Sequence, residues 1–217
     1  MAVSSLSFED THYGEKSVGF SSRILHSWQD MRSATRDLIE QRPDEGRLLF
    51  FVLMSDMVFF LSWTLKTIVA PTGAAVERIP LEIGLWLIFA LMIRTATIYL
   101  ASGLLWGFAR LFGGKGSWKE TRVGVFWGAF VSAPFGLLAA MITVALALNE
   151  DRFPILGNDA FTLPPYWLGL IPFVWFISVG LAEANKIKRT APIFMALSVL
   201  SVVLVIGAMY LRANAII

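Results

Sequence analysis

LLFFVLMSDMVFFLSWTLKTIVA, residues 48–70, is an almost unbroken apolar run with one acid, Asp56, near its middle. A hydrocarbon core about 30 Å thick is crossed by about 20 residues of helix. In lipid every backbone amide must find its partner inside the segment, so such a run reads as a spanning helix. Pro71 and Gly73 follow it and end it. Four more runs meet the same test, at about 81–112, 123–148, 166–184 and 191–211. The expected fold is all-α: a polytopic membrane helix bundle of five transmembrane helices over residues 47–212, preceded by a cytoplasmic amphipathic helix.

The composition agrees. The chain is 56% hydrophobic and 16% charged, with a mean hydropathy of +0.66, whereas soluble domains carry about 25% charged residues. A net charge of +2 is too small, and the basic residues too scattered, to suggest a nucleic-acid footprint. The absence of cysteine removes disulfides, thiolate metal sites and cysteine nucleophiles. Both histidines, His12 and His26, precede the first span, so no span can hold a haem or a histidine-rich metal site. No cofactor is expected, and no cleavable leader is evident.

The connections alternate in charge. Arg23, Arg32, Arg36, Arg42 and Arg47 precede the first span. Arg110, Lys115, Lys119 and Arg122 lie between the second and third, and Lys186, Lys188 and Arg189 between the fourth and fifth. The remaining connections hold only Arg78 and Arg152, each beside acids. The positive-inside rule then puts the N-terminus in the cytoplasm and the C-terminus outside, as five spans require.

Ahead of the spans, residues 1–20 are polar and offer too little apolar surface to fold, so they are expected to be flexible. Over 21–42, Ile24, Leu25, Trp28, Met31, Leu38 and Ile39 make one apolar stripe interspersed with arginines. That spacing predicts a helix lying in the membrane interface, its arginines favoured by anionic headgroups, or else covering a partner. Lipid contact is the default reading.

GGKGSWKETR, residues 113–122, has the glycines and lysine of a phosphate loop but not its spacing. Gly114-Lys115 is followed by Gly116 where a hydroxyl residue belongs, Ala109 stands where the first glycine should be, and no strand precedes it. No nucleotide is expected. The stretch reads as a turn: Gly113 and Gly114 stop one helix, and Ser117 with Glu120 caps the next.

LFGGKGSWKETRVGVFWGAFVSAP, residues 111–134, also resembles the bacterial branch of the Yip family, five-span membrane proteins related to eukaryotic Rab-interacting proteins. The resemblance rests on Gly113, Gly114, Gly116, Ser117 and Trp118 in the turn, then Trp127 and Pro134 in the following span. VWFISVGLAEANKIKRTAP (174–192) and ATRDLIEQRPDEGRLLFFVLMSD (34–56) are similar to the corresponding stretches of that family, and the likeness covers roughly residues 34–205. The Asp-Leu-Tyr-Gly-Pro stretch of the eukaryotic relatives is absent. The resemblance implies membrane organisation and, with the missing leader and cysteines, a bacterial inner membrane.

Charges inside spans are the best functional pointers, because each costs about 2.5–3.5 kcal/mol at a helix centre. Asp56 and Arg94 lie within neighbouring antiparallel spans and could meet, as a structural pair, on an ion path, or as part of a surface that meets another membrane protein. Glu183 could pair with Lys186 or sit against the basic turn. Gly124, Gly128 and Ser132 form a small-residue row that lets another helix approach closely, inside the bundle or in a partner. Pro134 and Pro172 are candidate kinks. No nucleophile, metal set or carboxylate pair suggests an enzyme. The expected function is therefore a non-catalytic organiser or accessory subunit, its partners the bilayer and another integral membrane protein or a second copy of itself. A small transporter or channel using Asp56 and Arg94 is the alternative.

Overall fold

Apolar runs that must satisfy their own backbone become helices, and among the described residues of the computed structural model no strand occurs. The structure describes residues 20–69, 82–162 and 164–213; the expected flexible N-terminus lies outside them up to residue 19. In chain order the helices are α1 (Phe20–Gln29), α2 (Met31–Glu40), α3 (Glu45–Val69), α4 (Glu82–Leu111), α5 (Trp118–Leu148), α6 (Asp159–Thr162), α7 (Pro164–Ala184) and α8 (Ala191–Ala213). A 3₁₀ turn, Pro154–Gly157, precedes α6. Helices α3, α4, α5 and α7 each contain a segment long and apolar enough to cross a membrane, and α8 contributes a shorter apolar stretch, Ala191–Gly207. The chain is thus a polytopic helical membrane bundle.

Helix α5 runs through the centre. At 1.5 Å per residue it is about 46 Å long, more than a bilayer core requires, so it tilts or projects. It begins at Trp118 because Ser117 caps it: Ser117 Oγ accepts from the Glu120 amide at 3.2 Å, and Glu120 Oε2 accepts from the Ser117 amide at 2.6 Å. Similarly α3 starts at Glu45, where Asp44 Oδ1 accepts from the Arg47 amide at 2.9 Å. The two helix starts are then tied by a two-pronged pair, Arg122 to Glu45 at 2.7 and 2.9 Å.

Helices α3 and α7 flank α5 on a core that includes Leu48, Val52, Phe126 and Leu181, all inaccessible. The α5–α7 crossing is the tightest. A Cβ on Gly124 would overlap the Gly180 carbonyl oxygen, and one on Gly180 would overlap that of Gly124. One turn along, a Cβ on Gly128 would stand 2.8 Å from the Phe176 carbonyl oxygen. Ser132 continues the row, buried, its hydroxyl donating to the Ala129 carbonyl at 2.8 Å. In lipid no hydrophobic force joins helices, so this close backbone approach supplies the dispersion that does. On the other side of α5, Phe51 of α3 sits edge-on to Trp127 at 5.0 Å and stacks on Phe130 at 5.9 Å.

The helix expected over 21–42 is broken at Asp30. That residue leaves the helical conformation (φ −142°, ψ 85°), and its carboxylate accepts from the Ser33 amide at 3.1 Å, capping α2. The chain folds back, so Arg23 of α1 reaches Gln41 beyond the end of α2.

Gly124→Ala should lower melting stability in detergent by about 1–3 kcal/mol, the usual cost of overpacking a closed interface. Gly136, lower on the same helix, has nothing within 4 Å of an added Cβ. Gly136→Ala should therefore be neutral or gain up to about 1 kcal/mol from helix propensity. Equal effects at the two positions would refute this account of the crossing.

Candidate functional site

Two polar assemblies stand out, one inside the membrane-spanning helices and one at the end of the bundle where α1 and α2 lie. The first centres on Asp56 of α3, which is fully buried. Its Oδ1 lies 2.7 Å from Arg94 Nε of α4, and its Oδ2 accepts from the Thr95 hydroxyl at 2.8 Å. Arg94 Nη2 also donates to the Ser55 hydroxyl at 3.3 Å, and its guanidinium carbon sits 4.1 Å from the centroid of the Phe59 ring. Ser55 in turn points at the Ala129 carbonyl of α5, at 3.4 Å. A carboxylate left alone in hydrocarbon would be very costly, whereas a paired and hydrogen-bonded one is tolerated. Arg94 and Thr95 enclose Asp56 between two helices, and the chemistry of the arrangement is that of a clasp.

The second assembly is built from two turns of the same kind. Gly113 has φ 76°; its amide donates to the Arg110 carbonyl and the Gly114 amide to that of Ala109, which is a Schellman ending of α4. Helix α7 ends likewise: the Lys186 amide donates to Glu183 and the Ile187 amide to Ala182, with Lys186 at φ 58° in the position glycine favours. The turns are laced together by the Lys115 amide on the Asn185 carbonyl at 2.9 Å and by Asn185 Nδ2 on the Thr121 hydroxyl at 3.0 Å. Gly114 and Gly116 are needed for closeness rather than for conformation. A Cβ on Gly114 would lie 2.8 Å from the Ala109 oxygen, and one on Gly116 would overlap the Ala184 oxygen. The loop's own carbonyls at Gly114 and Gly116 accept from Arg110, and that of Gly116 also accepts from Trp106. Trp118, beyond the turn, lies under the Arg122 guanidinium at 4.6 Å.

Helix α2 closes this end. Arg36 Nη2 pairs with Glu183 Oε1 at 2.7 Å and its Nε donates to the same oxygen at 2.8 Å, a hydrogen bond that holds the guanidinium above its ordinary pKa. Arg32 reaches the same carboxylate at 3.5 Å and donates to the Ile187 and Lys188 carbonyls and the Thr190 hydroxyl at 2.9–3.0 Å. These acceptors belong to the connection between α7 and α8, so Arg32 ties α2 to that turn. Glu183 is thus paired across helices, with Arg36 and Arg32, and not with Lys186, whose left-handed backbone ends the helical register that an i+3 pair needs.

The amphipathic stretch, expected to lie on lipid or on a partner, also packs in part on the bundle itself. Met31 and Leu38 are buried in the bundle core, and Ile24 and Ile39 pack half-buried against it. Leu25 and Trp28 face outward in part, yet Trp28 Nε1 donates to the Val131 carbonyl at 3.0 Å and the ring meets Phe135 edge-on at 5.4 Å. Those contacts bracket Pro134, which cannot donate to the Phe130 carbonyl; Ser55 and Ser132 serve the neighbouring Ala129 carbonyl. Sequence reasoning missed Gly180, Asn185, Thr95 and the partners Arg32 and Arg36. Only Gly180 had a visible signal, standing four residues before Ala184 as the counterpart of Gly124 and Gly128.

A helical membrane bundle with a glycine-laced turn between two spans is the class that fold and site define. The chain belongs to the Yip family: the Yip1 domain model matches residues 25–211, from within α1 through most of α8. No curated protein and no solved structure matches it.

Removing one partner of a buried ion pair costs about 3–5 kcal/mol in soluble proteins. Asp56→Asn and Arg94→Gln should each melt well below the parent in detergent, and the double variant should recover part of the loss. Single and double variants that melt alike would show that the pair contributes no coupling. Lys186→Gly should instead stabilise by about 1 kcal/mol through relief of left-handed strain, less the weak attraction of Lys186 to Glu120.

Proposed function

We propose that this chain is a non-catalytic membrane organiser, a subunit that accompanies another integral membrane protein in a bacterial inner membrane, with α1 and α2 on the cytoplasmic side. The observation that carries the reading is how the polar groups of the spans are used. Asp56 has one oxygen hydrogen-bonded to Thr95, the other in ion-pair contact with Arg94, and no accessible surface, so the acid that a transport path would need is closed by a neighbouring helix. Meanwhile α4 turns Met92, Ile93, Leu100 and Leu104 outward, and α8 does the same with Met195, Val199 and Val203. These helices flank the packed α3–α5–α7 core and offer the apolar faces that lipid or another span can cover. The Yip1 domain match is in keeping with this, since that family is not a known enzyme family.

Extraction from native membranes in gentle detergent, through an N-terminal tag, followed by mass spectrometry tests the reading. A membrane protein in stoichiometric amount is the expected result. Recovery of the chain alone, or ion flux through reconstituted protein that the Asp56→Asn, Arg94→Gln double variant abolishes while still folded, would overturn it.

A further inference from the structure

A cavity of about 790 Å³ opens between the α1–α2 hairpin and the start of α3. Its polar side carries Arg23 and Arg47, brought together by one neutral atom: each donates to Gln41 Oε1 at 3.0 Å. Among the described residues neither arginine has a carboxylate oxygen within 4.0 Å, whereas Arg32, Arg36, Arg94 and Arg122 all do. Among the described residues Asp37 is the acid in the wall, so two guanidinium groups face one carboxylate there. The other side is apolar: Leu38, Phe51 and Trp127 are buried, and Arg47 lies 5.9 Å from the Phe51 ring centroid.

The position of the cavity narrows what can fill it. Arg47 stands in the first turn of α3, directly before the apolar residues of the span. From the rim, Phe50, Leu53 and Met57 continue down α3 at helical spacing, and all three are exposed. A ligand with an anionic oxygen cluster at one end and a hydrocarbon tail at the other matches that sequence of surfaces. Paired guanidinium groups suit phosphate oxygens, which accept charge-assisted hydrogen bonds, and a basic site at the membrane boundary attracts anionic headgroups.

We propose that this cavity is a binding site for one anionic phospholipid, its phosphate held by Arg23 and Arg47 and its acyl chain laid along Phe50, Leu53 and Met57. Phosphate is the shared chemistry of a lipid headgroup and free inorganic phosphate, and the exposed strip on α3 favours the lipid. The site is independent of whether a protein partner exists.

The test uses the full-length chain in mild detergent, read by native mass spectrometry and by thermal melting. Phosphatidylglycerol should be retained at one molecule per chain and should raise the melting temperature, while phosphatidylcholine should do neither. Arg23→Gln with Arg47→Gln should weaken retention by about tenfold or more, as expected for lost charge-assisted contacts. Arg152→Gln, on the far loop, should leave it unchanged. If the double variant does not fold, the unaltered chain still decides the matter: equal retention of the two lipids overturns the proposal. Stabilisation by millimolar inorganic phosphate that displaces the lipid overturns the lipid assignment. A folded double variant that keeps phosphatidylglycerol as the parent does overturns the role of the arginines.

Discussion

The contact of Gly124 with Gly180 is the constraint on which the remaining structure depends. Two backbones meet there with no side chain between them, so the distance and register of α5 and α7 are set by peptide atoms. Lipid gives helices no hydrophobic reason to associate, and the interaction that replaces it falls off steeply with separation. Once these helices are fixed, their ends are fixed as well. Gly116 then lies against Ala184, and Asn185 can reach Thr121. The glycine turn is thus a consequence of the crossing: the loop after α4 must pass over the end of α7 in a gap too narrow for a Cβ. Three glycines serve it for two reasons, a positive φ at Gly113 and close approach at Gly114 and Gly116.

The same end of the bundle shows why the hairpin belongs to the fold. The terminal carbonyls of α7 are satisfied by its own turn, but the connection that follows presents further acceptors at Ile187, Lys188 and Thr190. Arg32 supplies donors to three acceptors beyond Glu183, and Arg36 neutralises Glu183 itself. Removing α2 would leave a carboxylate and several carbonyls exposed together. The match of the family model begins at residue 25, so α2 and the second half of α1 lie within the matched region.

Much of this was legible in the sequence, and the boundary of legibility is physical. Apolar runs of span length declare themselves because lipid demands self-satisfied backbone, and Ser117 with Glu120 declares a helix start because capping is local. The stripe of Ile24, Met31 and Leu38 could not say what it faces, since lipid and a protein core ask for the same spacing. Asp30 was a readable break, being a capping residue three before Ser33 inside a polar run. Pairings across many residues, such as Arg36 with Glu183, have no signature in one chain because any arginine on that side could have served. Asp56 was visible as an anomaly, while Thr95, which occupies its second oxygen, looked like any other threonine in a helix.

How α4 is attached bears on any partner. Along residues 89–111 its surface is largely apolar and outward, and lipid covers such a surface as well as a neighbouring helix does. What distinguishes the bound from the separated helix is therefore polar: Arg94 and Thr95 on Asp56. Separation would leave a carboxylate and a guanidinium each in hydrocarbon, at about 2.5–3.5 kcal/mol apiece on the insertion scale. Helix α4 thus stays with α3 unless something else neutralises Asp56. A partner that binds on this side meets α3 and α4 as one unit, whose shape is set by a buried charge pair and not by the apolar residues it touches.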